Sequence, residues 1–450
     1  MRWLYKYVVF PGARIFFGRN YGPQLNKLLL SQQWAPEELL EFQEMKLRQL
    51  IDHCYVNVPF YKRVFDENKI NPGDIRTISD LKALPVITKQ TMSENSADLL
   101  ARNYPKKMME TETTSGSTGR PTRFYFDLTS RDIRKASQMR SFMWAGQQFG
   151  DKLLLVKSFM DQKKTFYRRL SDIATRTQRL DAYDLTDMTL ADHVERLRNL
   201  RPKIVYGYAK ALFFLSRLLN QSNHNDLGVE SVISSGEMLL ETERKEVEKA
   251  FRCKVFNLYG SVEAYSIGME CKAHDGLHIS SDLYIFELTK NGETIDRQGE
   301  EGEVTITNLN NYAMPFVRYN IEDLAELKTT ERCRCGCFFP RIELTGGRKG
   351  DVLHGTNGNK LSCMFFSGVF RQFEDQIRQY QVIQAEADHL KMNVVRTASY
   401  REQTTNQIIQ RVCEKAGSEM RVEIDFVPVI QPTKSGKLRT TISLLGEARD

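Results

Sequence analysis

Apolar residues recur at helical spacing over residues 36–54. There Leu39, Leu40, Met45, Leu47, Leu50, Ile51 and Cys54 predict an amphipathic helix. Further on the period alternates. Residues 151–159 open with a buried-strand run at 153–156, 192–200 reads as a helix, 203–206 as a strand and 211–219 as a helix. Val232 and Ile233 form a short strand that ends at Ser234-Ser235-Gly236-Glu237. A charged helix over 242–251 and a strand over 254–258 follow. Strands alternating with helices at this spacing imply a mostly parallel sheet covered by helices.

After Gly276 the texture changes. Residues 283–288, 302–307, 316–319 and 325–328 predict short strands separated by Gly, Asn and Asp turns, as in a β-rich subdomain or barrel. Past Gly346-Gly347 a compact α/β unit is expected, with a helix near 365–377, strands near 380–385 and 390–395, a helix over 405–416 and a strand over 421–427. The fold class is therefore α/β, with a large domain at 1–347 and a small one at 348–450. A chain of 450 residues is in any case too long for one compact core.

Composition changes this picture little. Hydrophobic residues at 41% and charged residues at 27% are ordinary for a globular protein and argue against disorder. The 64 Lys and Arg exceed the 57 Asp and Glu by seven, and they are scattered rather than gathered into a stripe. That argues against a nucleic-acid surface and suits an anionic small molecule or a weak membrane contact. Residues 1–21 interleave Arg2, Lys6, Arg14 and Arg19 with Trp3, Tyr5, Tyr7, Phe10, Phe16 and Phe17, without an acid. Such a segment suits an anionic membrane face or packing on the main domain. The eight cysteines are irregularly spaced, with no secretory leader before them and no apolar run long enough to span a membrane. This predicts a cytosolic protein in a reducing compartment.

The candidate chemistry begins at Thr113-Thr114-Ser115-Gly116-Ser117-Thr118-Gly119-Arg120-Pro121-Thr122. Glycines let the backbone turn N–H groups toward one point, hydroxyls add donors, and Arg120 adds charge, which together make a cradle for a polyphosphate. No Gly-Lys-Ser/Thr closes it, so it is not a Walker A loop.

This loop resembles the TSGSTGRP signature of adenylate-forming enzymes, the acyl-CoA synthetases, peptide-synthetase adenylation domains and luciferases. The later sequence follows that family in order. Ser235-Gly236-Glu237 resembles the adenine-pocket segment, and Tyr259-Gly260-Ser261-Val262-Glu263 resembles YGSTE. Arg318-Tyr319-Asn320-Ile321-Glu322-Asp323 is similar to the RYxxxD element. Gly347-Arg348 with Asp351 is similar to the hinge, and Thr433-Lys434-Ser435-Gly436-Lys437-Leu438-Arg439 to the C-terminal lysine loop. The resemblance spans residues 109–439. Within the superfamily the chain is most similar to the phenylacetate–CoA ligase-like, CapK-type branch. The tokens are NLNNYAMPFVRYNIED at 308–323, Cys333-Arg334-Cys335-Gly336, Asn57-Val58-Pro59-Phe60-Tyr61 and Leu84-Pro85.

The resemblance implies a large adenylation domain and a mobile C-terminal domain. It implies that Thr114, Ser115, Gly116, Ser117, Thr118 and Gly119 grip ATP phosphates, that Gly236, Glu237, Tyr259 and Gly260 frame adenine, and that Asp323 holds the ribose. Arg348 adds a ribose or phosphate contact. Glu263 would hold Mg²⁺, a hard cation suited to a carboxylate. Lys437 would neutralise charge where the acid meets the α-phosphate, the step that such chemistry needs most. The hinge departs from the family pattern in having Gly350 before Asp351, which leaves two candidate pivots. An acid pocket is expected from Trp144, residues 206–208 and residues 234–236.

Cys271, His278, Cys333 and Cys335 supply three thiolates and an imidazole, a donor set for tetrahedral Zn²⁺. CapK-type relatives carry a similar set, which implies a structural zinc; Cys337 and His274 are rival ligands. The expected function is ATP-dependent activation of a small carboxylic acid with transfer to coenzyme A. Transfer to an amine or hydroxyl in capsular or surface polysaccharide synthesis is one alternative, and a non-catalytic zinc-stabilised scaffold is another. The oligomeric state is left open.

Overall fold

The computed structural model describes residues 21–113, 123–157, 166–181, 194–195, 197–221, 227–348, 352–373, 375–431, 433 and 437–445. The chain forms two compact units. One comprises Met1–Ile321 and Glu326–Glu343, the other Glu322–Ala325 and Leu344–Asp450.

The first unit opens on helices Tyr21–Ser31, Pro36–Asn57 and Pro59–Glu67. The second of these matches the helical period of residues 36–54. It stops where Pro59 follows Val58, because a residue before proline is pushed out of the α region. Pro59 then starts the next helix, where its missing N–H costs nothing. A hairpin follows, with β1 (Met109–Thr113) antiparallel to β2 (Arg123–Asp127) and Thr113 opposite Arg123. Asp127 accepts a hydrogen bond from the Ser130 N–H at 2.9 Å and so caps the helix Leu128–Trp144.

The expected parallel sheet is present as β3 (Leu153–Val156), β4 (Thr177–Leu180), β5 (Ile204–Tyr208), β6 (Ser231–Ser235) and β7 (Val255–Tyr259), in spatial order β4-β3-β5-β6-β7. Helices Phe166–Ala174, Ala209–Gln221 and Glu241–Phe251 lie on the crossovers. Of the helix expected over 192–200, residues 194–195 and 197–200 are described as helical. Leu154, Val156, Val205, Val232 and Val255 pack with Leu212, Leu215, Leu219, Val247 and Phe251 into one buried core. Each such side chain stabilises the fold by about 1.5–3 kcal/mol.

The strand-rich part continues the same sheet. β8 (Gly268–Glu270), β9 (Leu277–Ile279), β10 (Tyr284–Lys290), β11 (Glu293–Ile295), β12 (Glu301–Asn308), β13 (Tyr319–Thr329) and β14 (Arg341–Arg348) complete a twelve-stranded order, β11-β10-β12-β13-β14-β9-β8-β7-β6-β5-β3-β4. That order is open at β11 and β4, so these strands extend the sheet rather than close a barrel. The strands expected at 316–319 and 325–328 also differ: β13 is one strand across most of that span. Arg318 sits at φ 49°, which breaks the extended chain just before β13. The polar run that reads as a turn lies within β13, with Glu322 at φ 71° and Asn320 donating to Glu303 of β12 at 2.7 Å.

The second unit holds a hairpin, β15 (Leu353–His354) with β16 (Lys360–Leu361), and a four-stranded sheet. That sheet has β17 (Ile377–Glu386), β18 (His389–Arg396), β19 (Arg421–Phe426) and β20 (Thr441–Ser443) in the order β19-β18-β17-β20. Helices Cys363–Arg371 and Glu402–Ala416 contribute to its core through Phe366, Phe370, Ile408 and Val412. The helix expected to reach 377 ends at Arg371, and Ile377 instead opens β17 as a buried residue opposite Arg396. No described helix is long and apolar enough to cross a membrane.

Candidate active site and metal centre

The parallel strands deliver the motif residues at their carboxyl ends, where open α/β sheets place ligands. β6 ends at Ser235, and Gly236 follows at φ 79°, a left-handed conformation that glycine adopts without strain. Glu237 then accepts the Lys210 backbone N–H at 2.9 Å, at the start of the helix after β5. β7 ends at Tyr259, which is buried. A Cβ on Gly260 would lie 1.5 Å from the Tyr265 carbonyl oxygen. The turn is held by Tyr265 N–H to the Ser261 carbonyl at 2.7 Å and Ala264 N–H to Ser261 Oγ at 3.1 Å. Gly260→Ala must open that turn, and we expect a loss of roughly 2–3 kcal/mol or more. A melting curve against the parent checks this, and an unchanged midpoint contradicts it.

Glu263 is 6% exposed, and Tyr319 of β13 donates its hydroxyl to Glu263 Oε1 at 3.2 Å. Nothing in the sequence pattern assigns Tyr319 that role. Arg318 beside it is structural: its guanidinium pairs with Glu287 at 3.1 Å, both side chains buried, and donates to the Leu84 carbonyl at 2.6 Å. Thr114, Ser115, Gly116, Ser117, Thr118 and Gly119 lie outside the described residues, as does Arg120; the strands flanking them, β1 and β2, are described above. Gly350 and Asp351 lie outside them too, and Arg348 is described in its backbone alone, at the end of β14. Asp323 and Lys437 belong to the second unit. The Lys437 N–H donates to Thr433 Oγ1 at 3.2 Å while the Thr433 N–H donates to the Lys437 carbonyl at 2.8 Å, which closes the loop that carries the lysine.

Of the side chains expected to line an acid pocket, Trp144 packs edge-on to His278 at 5.6 Å, donates its indole N–H to Gln32 at 2.8 Å, and shares a cluster with Phe142 and Tyr206. Tyr206 is buried, which raises its pKa, and it hydrogen-bonds Ser235 and Gln138. Burial together with the Glu237 charge and Tyr265 pushes Tyr208 up to about 12, so both phenols stay protonated.

The cysteine and histidine side chains do converge. Cys271 follows β8, His278 lies in β9, and Cys333 and Cys335 lie between β13 and β14. β9 pairs with β14, His278 opposite Arg341, and this brings the two cysteine-bearing turns together. The four donor atoms all lie within 4.8 Å of one another. Cys271 Sγ and Cys333 Sγ are 3.7 Å apart, and Cys335 Sγ is 3.5 Å from His278 Nε2. Zinc–ligand bonds of about 2.3 Å to sulfur and 2.0–2.1 Å to nitrogen, set tetrahedrally, give edges of about 3.8 and 3.5 Å. The donor set therefore fits that ion.

The surroundings favour the same chemistry. His278 Nδ1 lies 3.1 Å from the Phe339 carbonyl, which can only accept, so the proton sits on Nδ1 and Nε2 presents its lone pair. Burial pushes the His278 pKa down to about 4, which keeps the ring neutral. Backbone N–H groups of Ala273 and Cys335 point at Cys271 Sγ and Cys333 Sγ at 3.4 and 3.5 Å, donors that stabilise thiolate charge. Burial raises Cys271 to about 12. It acts the same way on Cys333, where the Cys335 N–H and the neighbouring thiols outweigh it and hold the pKa below the ordinary value. The rivals are engaged elsewhere. His274 Nδ1 meets Glu270 at 3.2 Å and Cys337 Sγ accepts the Phe339 N–H at 3.4 Å.

Known proteins share sequence and fold with this chain. Residues 353–444 match the family model of the CapK C-terminal domain. Phenylacetate-coenzyme A ligase of Thermus thermophilus is 28% identical over 74% of this chain and 74% of that protein. Protein CapK of Staphylococcus aureus is 23% identical over 90% of this chain and 89% of its own. Among solved structures, 2-hydroxyisobutyryl-CoA ligase in its postadenylation state with 2-HIB-AMP superposes with a TM-score of 0.72 at 19% identity, covering 91% of this chain and 90% of that one. The chain is thus a homologue of the phenylacetate-coenzyme A ligases and of CapK, and it has the fold of an adenylate-forming CoA ligase.

Proposed function

We propose that this chain joins a carboxylic acid to AMP at the expense of ATP and passes the acyl group to coenzyme A. The observation that carries the reading is the placement of the motif residues: Gly236, Glu237, Tyr259, Gly260 and Glu263 follow the ends of β6 and β7 in a fold that an adenylate-forming ligase matches across nine-tenths of the chain. Carboxylate and α-phosphate are both anions, so the protein must hold them in line and offset their charge. Residues 114–119 take the phosphates, Asp323 the ribose hydroxyls, and Arg348 a further ribose or phosphate oxygen. Glu263, held by Tyr319, is the carboxylate for a Mg²⁺ ion, which would draw charge from the phosphates. Lys437 meets the reacting oxygens. The zinc is structural: four protein ligands leave no open position.

Acid-dependent exchange of labelled pyrophosphate into ATP tests the reading, and no exchange across a broad panel of acids rules it out. A second acceptor class has its own support. The similarity to CapK runs along nine-tenths of the chain and includes the CapK C-terminal domain. Transfer to an amine or hydroxyl of a surface-polysaccharide precursor is therefore the alternative second step. Product masses with coenzyme A, amines and sugars as acceptors separate the two.

A further inference from the structure

Arg134 lies on the helix Leu128–Trp144, outside every motif in the sequence, and is 6% exposed. Its guanidinium stacks on Phe126 of β2, 3.8 Å from the ring centre, and on Tyr265 at 4.8 Å. Nη2 donates to the Val262 carbonyl at 3.1 Å and lies 4.0 Å from Glu112 of β1. Arg134 thus touches both flanking strands of the loop at 114–122 and both sides of Glu263, through Val262 before it and Tyr265 after it.

The same helix braces the turn a second time, where Ser141 Oγ meets Ser266 Oγ at 2.6 Å. Asp127 ties the start of this helix to the Tyr312 N–H at 3.1 Å, in the segment between β12 and β13.

Stability alone is a poor account of this arginine. A buried guanidinium is costly to desolvate, and its Nε–H is buried with no hydrogen-bond partner among the described residues. An unbranched apolar side chain would fill the gap between the two rings without that cost. What only a guanidinium supplies is a flat cation for two aromatic faces and a directed donor to one carbonyl.

We propose that Arg134 is a positioning residue for adenylation: it clamps the turn presenting Glu263 to the hairpin that carries the phosphate loop. This rests on the adenylation reading above. The clamp fixes where the metal-holding carboxylate sits relative to the ATP phosphates, and a misplacement of about 1 Å can cost on the order of 100-fold in rate.

Arg134→Met keeps bulk between the rings and removes the charge and the donor; Arg134→Lys keeps the charge. In Arg134→Met we expect the Mg²⁺ concentration for half-maximal pyrophosphate exchange to rise about fivefold or more, and turnover to fall roughly 10- to 100-fold. KM for the acid should stay unchanged, and Arg134→Lys should recover part of the loss. Backbone amide exchange across 262–266 should quicken in Arg134→Met, a reading that needs no activity. A folded Arg134→Met with parental Mg²⁺ dependence and turnover overturns the proposal, and so does unchanged amide exchange. If the parent exchanges no pyrophosphate, the adenylation reading fails, and amide exchange still decides the clamp. Should Arg134→Met not fold, Tyr265→Leu removes one stacking face at a half-exposed position and carries the same readings.

Discussion

Replacing Lys437 with alanine should slow pyrophosphate exchange by about 10²- to 10³-fold, the usual cost of one preorganised charge aimed at a developing anion. The effect should fall on the first half-reaction. As carboxylate attacks the α-phosphate, the phosphoryl oxygens around the reacting phosphorus already carry negative charge, and an ammonium offsets it without giving up its proton. Once the adenylate exists, most of the polyphosphate charge has left with pyrophosphate. Transfer from a supplied acyl-adenylate to coenzyme A should therefore proceed within a few-fold of the parent rate in Lys437→Ala. The local fold should survive, because Thr433 and Lys437 close their loop through backbone groups and the threonine hydroxyl. A loss of exchange smaller than threefold would remove Lys437 from the mechanism.

Removing one thiolate from the cysteine cluster should have the largest effect on stability. Protein purified without added metal should carry about one zinc per chain, and Cys333→Ser should carry almost none. Without the ion, Cys271, Cys333 and Cys335 keep two turns together only through weak sulfur contacts. We expect a fall in melting temperature of roughly 5 °C, corresponding to a few kcal/mol in a domain of this size. The pH dependence has a definite sign. His278 is neutral above about pH 4 and releases no proton to the metal near neutrality. The thiols do release theirs, and burial holds Cys271 near 12. Apparent zinc affinity should therefore rise with pH by roughly two to three decades per unit around neutrality, and acid should release the ion. A chelator titration at several pH values measures this slope. Absence of stoichiometric metal in the parent protein sinks the proposal.

Several elements are legible in the chain itself. The run at 153–156 coincides with β3, and the strands expected at 203–206, 232–233 and 254–258 lie within a residue or two of β5, β6 and β7. β6 is buried at every position and β7 at all but Asn257, while alternate positions of β3 are only half-buried, and the apolar residues of these central strands carry a clear signal. The helix from Pro36 is equally clear, with proline signals at both ends. The strand-rich part is less so. Arg318 reads as a strand residue and Asn320 as a turn residue, yet Arg318 sits at φ 49° buried against Glu287, and Asn320 lies in β13, satisfied across the sheet by Glu303. A polar residue whose partner is distant in sequence cannot be told from a solvated one by its neighbours.

The four donors Cys271, His278, Cys333 and Cys335 are legible as chemistry, since three thiols and an imidazole in a short inventory invite a metal. What separates them from His274 and Cys337 is geometry. β9 runs against β14, which puts His278 beside the Cys333–Cys335 turn, while His274 turns back to Glu270 and Cys337 folds under Phe339.

By itself the sequence determined the elements whose causes are local: runs of apolar residues, prolines at helix starts, and glycines at Gly236 and Gly260 where a side chain would strain or block a turn. It also determined which chemical groups are available, because hydroxyls, carboxylates, imidazoles and thiols are properties of residue type. Only the tertiary structure decided which of these groups meet. Tyr319 reaches Glu263 across 56 positions and Arg134 reaches Val262 across 128, and neither pairing leaves a periodic trace. Such contacts depend on the register and order of strands, which are set by the packing of the whole sheet rather than by any segment within it.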